Sequence, residues 1–223
     1  MHWPVDAQTR LAAQNFPLPI QAQQPAPQDV GRGFDPTRWM RHLRPGVDQF
    51  PPSPAGGYRA DPESIIAEFQ AAHYLQGLAL TVSWGTMART KQHVYGQHQL
   101  QHIHDTLSQC AESITETQSI QQSWDMLVMG LGWTSVMTSK ALHFLCRALG
   151  HNNDPPVPID GEVIRNKVWP AFKNRINQGL RPRNWDGNSF DAYCRYMTAI
   201  LEWARARNWT TTQMESTIWD EYK

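Results

Sequence analysis

Ten of the sixteen prolines fall within the first 57 residues, and that asymmetry divides the chain before any other feature is considered. Proline fixes φ, has no N–H to donate and clashes with the preceding helical turn, so a packed helix or sheet is not expected there. The stretch Gln21-Ala22-Gln23-Gln24-Pro25-Ala26-Pro27-Gln28 points the same way. Residues 1–57 read as an extended Pro-rich arm, with Phe34, Trp39, Met40, Phe50 and Tyr58 as apolar anchors that dock on the body. The body, residues 58–223, begins after Gly56-Gly57.

Beyond that boundary the signals are helical. Asp61-Pro62-Glu63 combines an N-cap, a proline at the first helical position and an acid in the first turn, opening a helix expected to reach about Val82. Leu100, Ile103, Leu107, Cys110 and Ile114 recur at three and four residues, predicting a helix from about His98 to Glu116. Further helices are expected over about Ile120–Met129 and Thr134–Leu149. The second of these should break near Thr138-Ser139, where Ser139 caps a segment beginning at Lys140, and stop at Gly150. Glu162–Gln178, Ser189–Arg207 and Thr212–Tyr222 complete the set, the last opened by the capping box Thr212-x-x-Glu215. No stretch alternates over six residues, so the fold class is all-α, with loops at Ser83–Tyr95, His151–Gly161 and Leu180–Gly187.

A chain of 223 residues buries roughly 70% of its unfolded surface, enough for a core without disulfides or a structural metal. Cys110, Cys146 and Cys194 are odd in number and include no C-x-x-C, which excludes a disulfide framework and a zinc knuckle. Neither a basic, apolar leader nor a run of 18 apolar residues occurs, so a cytoplasmic protein without a membrane span is expected. The net charge is zero, but it is segregated. Residues 97–139 hold four acids and no Lys or Arg, whereas residues 140–207 hold eleven bases against six acids. That excess of about five positive charges suits a phosphate-bearing partner.

One segment concentrates the chemistry. Lys140 opens an apolar stretch, Ala141-Leu142-His143-Phe144-Leu145-Cys146-Arg147. A polar loop follows, then Pro156-Val157-Pro158-Ile159-Asp160 and a basic helix containing Arg165. A lysine at a helix start, an apolar helix, a proline-stiffened loop and an acid at the next helix start, twenty residues on, can bring amine and carboxylate to one cleft. This pattern resembles the helix-hairpin-helix DNA glycosylases, in particular the 8-oxoguanine glycosylase branch, over about residues 130–169. In that family the second helix of the hairpin begins with a catalytic lysine, and a Pro-Val-Asp-like loop about nineteen residues later presents the catalytic aspartate. The resemblance assigns these roles to Lys140 and Asp160. The family's Leu-Pro-Gly-x-Gly stands directly before its lysine. Here Val136-Met137-Thr138-Ser139 takes that place, and the glycines lie earlier, at Gly130 and Gly132.

The residue types suit the reaction. Breaking an N-glycosidic bond builds positive charge on the deoxyribose, which a desolvated carboxylate stabilises better than water does. A lysine attacks C1′ only as the neutral amine, a form favoured by burial and by neighbouring cations such as Arg147 and Arg165. Reaching C1′ requires extruding the nucleotide, hence a wedge, a base pocket and phosphate contacts. Trp84, Thr86, Arg89, Lys91, Trp133 and His143 are candidates for binding the flipped base. Thr138, Ser139, Arg147, Arg165 and Lys167 are candidates for the DNA backbone.

The partner implied is double-stranded DNA containing a modified base, bound by a monomer that uses no cofactor and no metal. His93, His98, His102 and His104 lack an H-E-x-x-H pattern or a later acidic ligand, and read as exposed polar residues. Through the resemblance two substrates come into view: glucosylated hydroxymethylcytosine of phage DNA, excised in antiviral defence, and 8-oxoguanine, excised in repair with or without strand cleavage at the abasic site. The reading from another class is a non-catalytic DNA-binding adaptor that keeps the hairpin.

Overall fold

The computed structural model describes residues 3–15, 20–26, 32–33, 59–85, 99–159, 168 and 189–222. Among these the architecture is all-α: eight α-helices, with one two-residue antiparallel pairing of Arg32–Gly33 and Arg59–Ala60. The expected loop over 86–95, the helix over 162–178 and the loop over 180–187 lie outside the described residues apart from Val168.

Within the Pro-rich arm a helix does form. Helix α1 (Ala7–Asn15) lies between Pro4 and Pro17, so the prolines bracket it without interrupting it. Asp6 caps it through Oδ1, which accepts the Thr9 amide at 2.6 Å. Ala13 is buried, and the helix packs on Phe190–Arg207, where Arg10 and Gln14 both reach the Glu202 carboxylate at 2.9 Å. Residues 20–26 also dock. Arg207 donates to the carbonyls of Ile20 and Ala22, while the Gln21 and Ala22 amides donate to Glu221.

The single helix expected from Pro62 to about Val82 is two: α2 (Pro62–Gln70) and α3 (Tyr74–Trp84). Asp61 caps α2 as expected, accepting the Ser64 amide at 2.8 Å. The chain turns at Ala72, whose φ is +59°, and the His73 amide closes the end on the Glu68 carbonyl. Helix α3 is buried on nearly every side, and the turn folds it back against α2. Gly77 then lies so close to the Phe69 ring that a Cβ there would come within 3.0 Å of it.

Helix α4 (Leu100–Thr117) buries the Ile103, Leu107, Cys110 and Ile114 stripe and leaves His102 in solvent. Helix α5 (Gln121–Asp125) runs directly into a π-helical turn, Met126–Gly130. A short turn at residues 131–133 leads into α6 (Ser135–Ala148), the central helix, which packs against α2, α3, α4 and α5. Gly150, at φ +85°, ends it. Helix α7 (Phe190–Arg207) is capped by Ser189, and α8 (Thr211–Tyr222) packs on it. The box that opens α8 is Thr210-x-x-Gln213, two residues earlier than expected. Thr210 Oγ1 accepts the Gln213 amide, and Gln213 Oε1 accepts the Thr210 amide.

Candidate active site

Helix α6 carries the lysine, and it carries it without the break expected near Ser139. Thr134 is the N-cap, accepting the Met137 amide on Oγ1, and the ladder already starts with the Thr138 amide on the Thr134 carbonyl. Lys140 therefore lies in the second turn and not at a helix start. The Ser139 hydroxyl is engaged elsewhere. It donates to the Val136 carbonyl at 3.2 Å and accepts the Ile159 amide at 2.9 Å. Lys140 is only 4% exposed, and its ammonium lies 5.7 Å from the centroid of the Trp84 ring, within cation–π range.

Opposite this helix runs the loop that ends at Ile159. Residues 155–159 are buried, so each backbone polar group there must find a partner inside the protein. Three of the five are prolines, which have no N–H to satisfy, and this is why such a segment can run through the core. Most of the remaining groups are met by side chains. Carbonyls of Asp154, Pro156, Val157 and Pro158 accept from Trp3 Nε1 (2.9 Å), His143 Nδ1 (2.6 Å), Tyr193 Oη (2.9 Å) and Tyr196 Oη (3.2 Å). The Val157 amide reaches Met197 Sδ at 3.4 Å, and the Ile159 amide reaches Ser139.

His143 shows how strictly the loop is held. Pro156 offers only an acceptor, so Nδ1 carries the proton, and Nε2 is left facing Arg147 at 3.5 Å. Full burial pushes the imidazole pKa down to about 3, with the nearby guanidinium acting in the same direction, so the ring stays neutral. Burial likewise holds the Tyr193 phenol protonated as a donor, and its ring stacks on Trp124 at 4.4 Å.

The other expected site residues divide by position. Trp84 ends α3, half-buried, with its edge against Phe144 at 5.2 Å. Trp133 is buried in the hairpin turn. Neither indole N–H has a hydrogen-bond partner among the described residues. Thr138 and Ser139, expected at a DNA-facing helix start, are both buried, because the helix begins a full turn earlier and turns them inward. Arg147 is half-buried near the end of α6, where burial lowers its pKa. Asp160, Thr86, Arg89, Lys91, Arg165 and Lys167 lie outside the described residues. So do His93 and His98. His104 meets Asp105 at 3.2 Å and the Tyr74 ring edge-on at 5.4 Å.

The hairpin itself is built from the early glycines. Leu131 and Trp133 point inward, while Met129, Gly130, Gly132 and Thr134 are exposed, so the turn alternates between core and solvent. Gly132 adopts φ +64°, and nothing stands within 4 Å of where a Cβ would be at Gly130 or Gly132. Two helices thus meet at an open, glycine-lined turn, and residues 135–139 stand between that turn and the lysine. Sequence reasoning missed Trp3, Tyr193, Tyr196 and Met197 as the grips on the loop. For Tyr193, Tyr196 and Met197 the local signal is the spacing of three and four residues from Tyr193 along α7; Trp3 carries none.

No curated protein and no solved structure matches the chain. A family model does, that of "Putative 8-oxoguanine DNA glycosylase OGG-like protein", over residues 24–219. The match spans α2 to α8 and includes the hairpin, the lysine helix and the loop that ends at Ile159. It sets DNA glycosylase as the general class of activity and DNA as the macromolecule bound. Among the described residues no helix is long and apolar enough to cross a membrane. With most of its length matched, the chain belongs to the OGG-like DNA glycosylase family.

Proposed function

We propose that this protein flips a modified nucleotide out of duplex DNA and excises its base, with Lys140 as nucleophile and Asp160 as electrostatic partner. The observation that carries this reading is the Ile159–Ser139 hydrogen bond, which ties the residue before the aspartate to the residue before the lysine. The burial of Lys140 against the Trp84 ring supports its role, since it holds the amine in a place where water does not compete for the reacting carbon. Its Nζ lone pair forms a bond to C1′ as the glycosidic bond breaks. The base leaves with the electron pair of the broken glycosidic bond and takes up a proton, which the new secondary ammonium releases. The Asp160 carboxylate stabilises the positive charge developing on the sugar. Opening of the sugar ring gives a Schiff base, from which β-elimination nicks the strand.

Trp84 and Trp133 bind the extruded base, a role supported by indole N–H groups that have no hydrogen-bond partner among the described residues. His143 shapes the same region by holding the loop. The exposed hairpin turn and the N-terminus of α6 meet the DNA backbone, assisted by Arg147, Arg165 and Lys167. Glucosylated hydroxymethylcytosine of phage DNA is the substrate of the defence reading, and 8-oxoguanine is that of the family description.

Base release from glucosylated phage DNA and from 8-oxoguanine duplexes, assayed in parallel, selects between them. Borohydride trapping of a covalent adduct on the active substrate tests the Lys140 step. If the wild type and Asp160→Asn bind both DNAs equally and release no base, the protein is an adaptor and the enzyme reading falls.

A further inference from the structure

The N-terminal segment lies before the first residue of the family match, at residue 24, yet it contacts the loop that leads to Asp160. Trp3 Nε1 donates to the Asp154 carbonyl at 2.9 Å across 151 residues of sequence. Asp154 is a left-handed residue, φ +52°, a conformation less favourable for an L side chain than the ordinary helical or extended ones, though Asp tolerates it better than most. The Trp3 ring meets Tyr193 edge-on at 5.9 Å, and Tyr193 donates to the Val157 carbonyl. One aromatic pair thus grips the loop at two carbonyls three residues apart.

The segment that carries Trp3 is itself held on α7, one of the two helices that provide the other grips. The Asp6 amide donates to Thr198 Oγ1, and Arg10 and Gln14 of α1 meet Glu202. Helix α7 therefore anchors the N-terminal segment through Thr198 and Glu202, and holds the loop through Tyr193 and Met197. At the loop's entry Trp3 supplies the hold on the left-handed residue; further along, α6 and α7 supply it.

We propose that the N-terminal segment is part of the catalytic apparatus, with Trp3 as a positioning residue that locks the aspartate-bearing loop in its working conformation. The proposal rests on the base-excision reading above. It predicts a defect in the chemical step that is separable from DNA binding and from folding.

The test uses the full chain with Trp3→Phe, which keeps a ring against Tyr193 but removes the N–H, and Trp3→Ala, which removes both. Amide hydrogen exchange is followed at Val157 and Ile159, together with thermal stability, duplex affinity and single-turnover excision. In Trp3→Phe, exchange at these two amides is expected to rise and excision to slow about tenfold, the equivalent of ~1.4 kcal/mol and of one lost hydrogen bond. Duplex affinity should stay within about twofold, and Trp3→Ala should be slower still. Unchanged exchange in both variants overturns the clamp. Faster exchange with unaltered excision, or a rate loss that only tracks the unfolded fraction, overturns the positioning role. A wild type inert on every modified DNA removes the excision reading and the positioning role together, while the exchange data still decide whether Trp3 holds the loop.

Discussion

The Ile159 amide donates to the Ser139 hydroxyl at 2.9 Å, in the buried seam between α6 and the loop opposite it. Ser139→Ala removes the acceptor and leaves a buried N–H without a partner, which costs about 1–3 kcal/mol. Chemical denaturation is expected to show that loss. Single-turnover excision should fall by at least about tenfold beyond what the unfolded fraction accounts for, with duplex affinity retained. Ser139→Thr keeps the acceptor and should recover most of the rate.

The two reacting groups separate by different measurements. Lys140→Gln should abolish borohydride-trapped adduct while leaving the duplex bound. Asp160→Asn should slow base release by on the order of 10²–10³-fold, the scale on which a preorganised electrostatic contact acts in a water-poor site. Trapping by Lys140→Gln at the wild-type level would assign the nucleophile to another amine.

How much of this was legible in the chain depends on where each signal resides. The α4 stripe and the Asp61-Pro62 and Ser189 caps are local, and they stand where periodicity and capping chemistry put them. Four contiguous helix formers, Gln70-Ala71-Ala72-His73, conceal the α2–α3 turn, because burial of the apolar sides of α3 decides it and propensity does not. Three consecutive threonines offer two overlapping capping boxes, and only the structure selects Thr210. Ser139 resembles a cap because serine caps helices, but its hydroxyl serves a partner twenty residues away. The lysine–aspartate spacing was readable. The grips of Trp3, Tyr193 and Tyr196 on the loop were not, since each contact joins residues more than 35 apart.

The hairpin glycines should respond differently to the same substitution. Gly132→Ala forces a Cβ onto φ +64° and should destabilise the protein by about 1–2 kcal/mol, although no atom obstructs the Cβ. Gly130 has no such φ and open space around it, so Gly130→Ala should stay within about 0.5 kcal/mol. If the turn lies against phosphates, both substitutions weaken duplex binding, most strongly at low salt, and leave the excision rate of bound complexes unchanged.

His143 gives the fold a pH dependence whose sign can be worked out. Its folded pKa is depressed to about 3, against an unfolded value near 6.5, so between these limits the unfolded chain binds a proton that the native protein does not. Stability from this group is fully present above pH 6.5 or so and falls with acidification by up to about 1.4 kcal/mol per pH unit. His143→Gln retains an N–H able to reach the Pro156 carbonyl but cannot titrate. Urea unfolding between about pH 4 and 8 should therefore show a shallower slope for His143→Gln than for the wild type, with the two curves diverging only below about pH 6.5. Parallel curves across that range would mean that the imidazole takes up its proton equally in the native and the unfolded chain, so that burial does not depress its pKa.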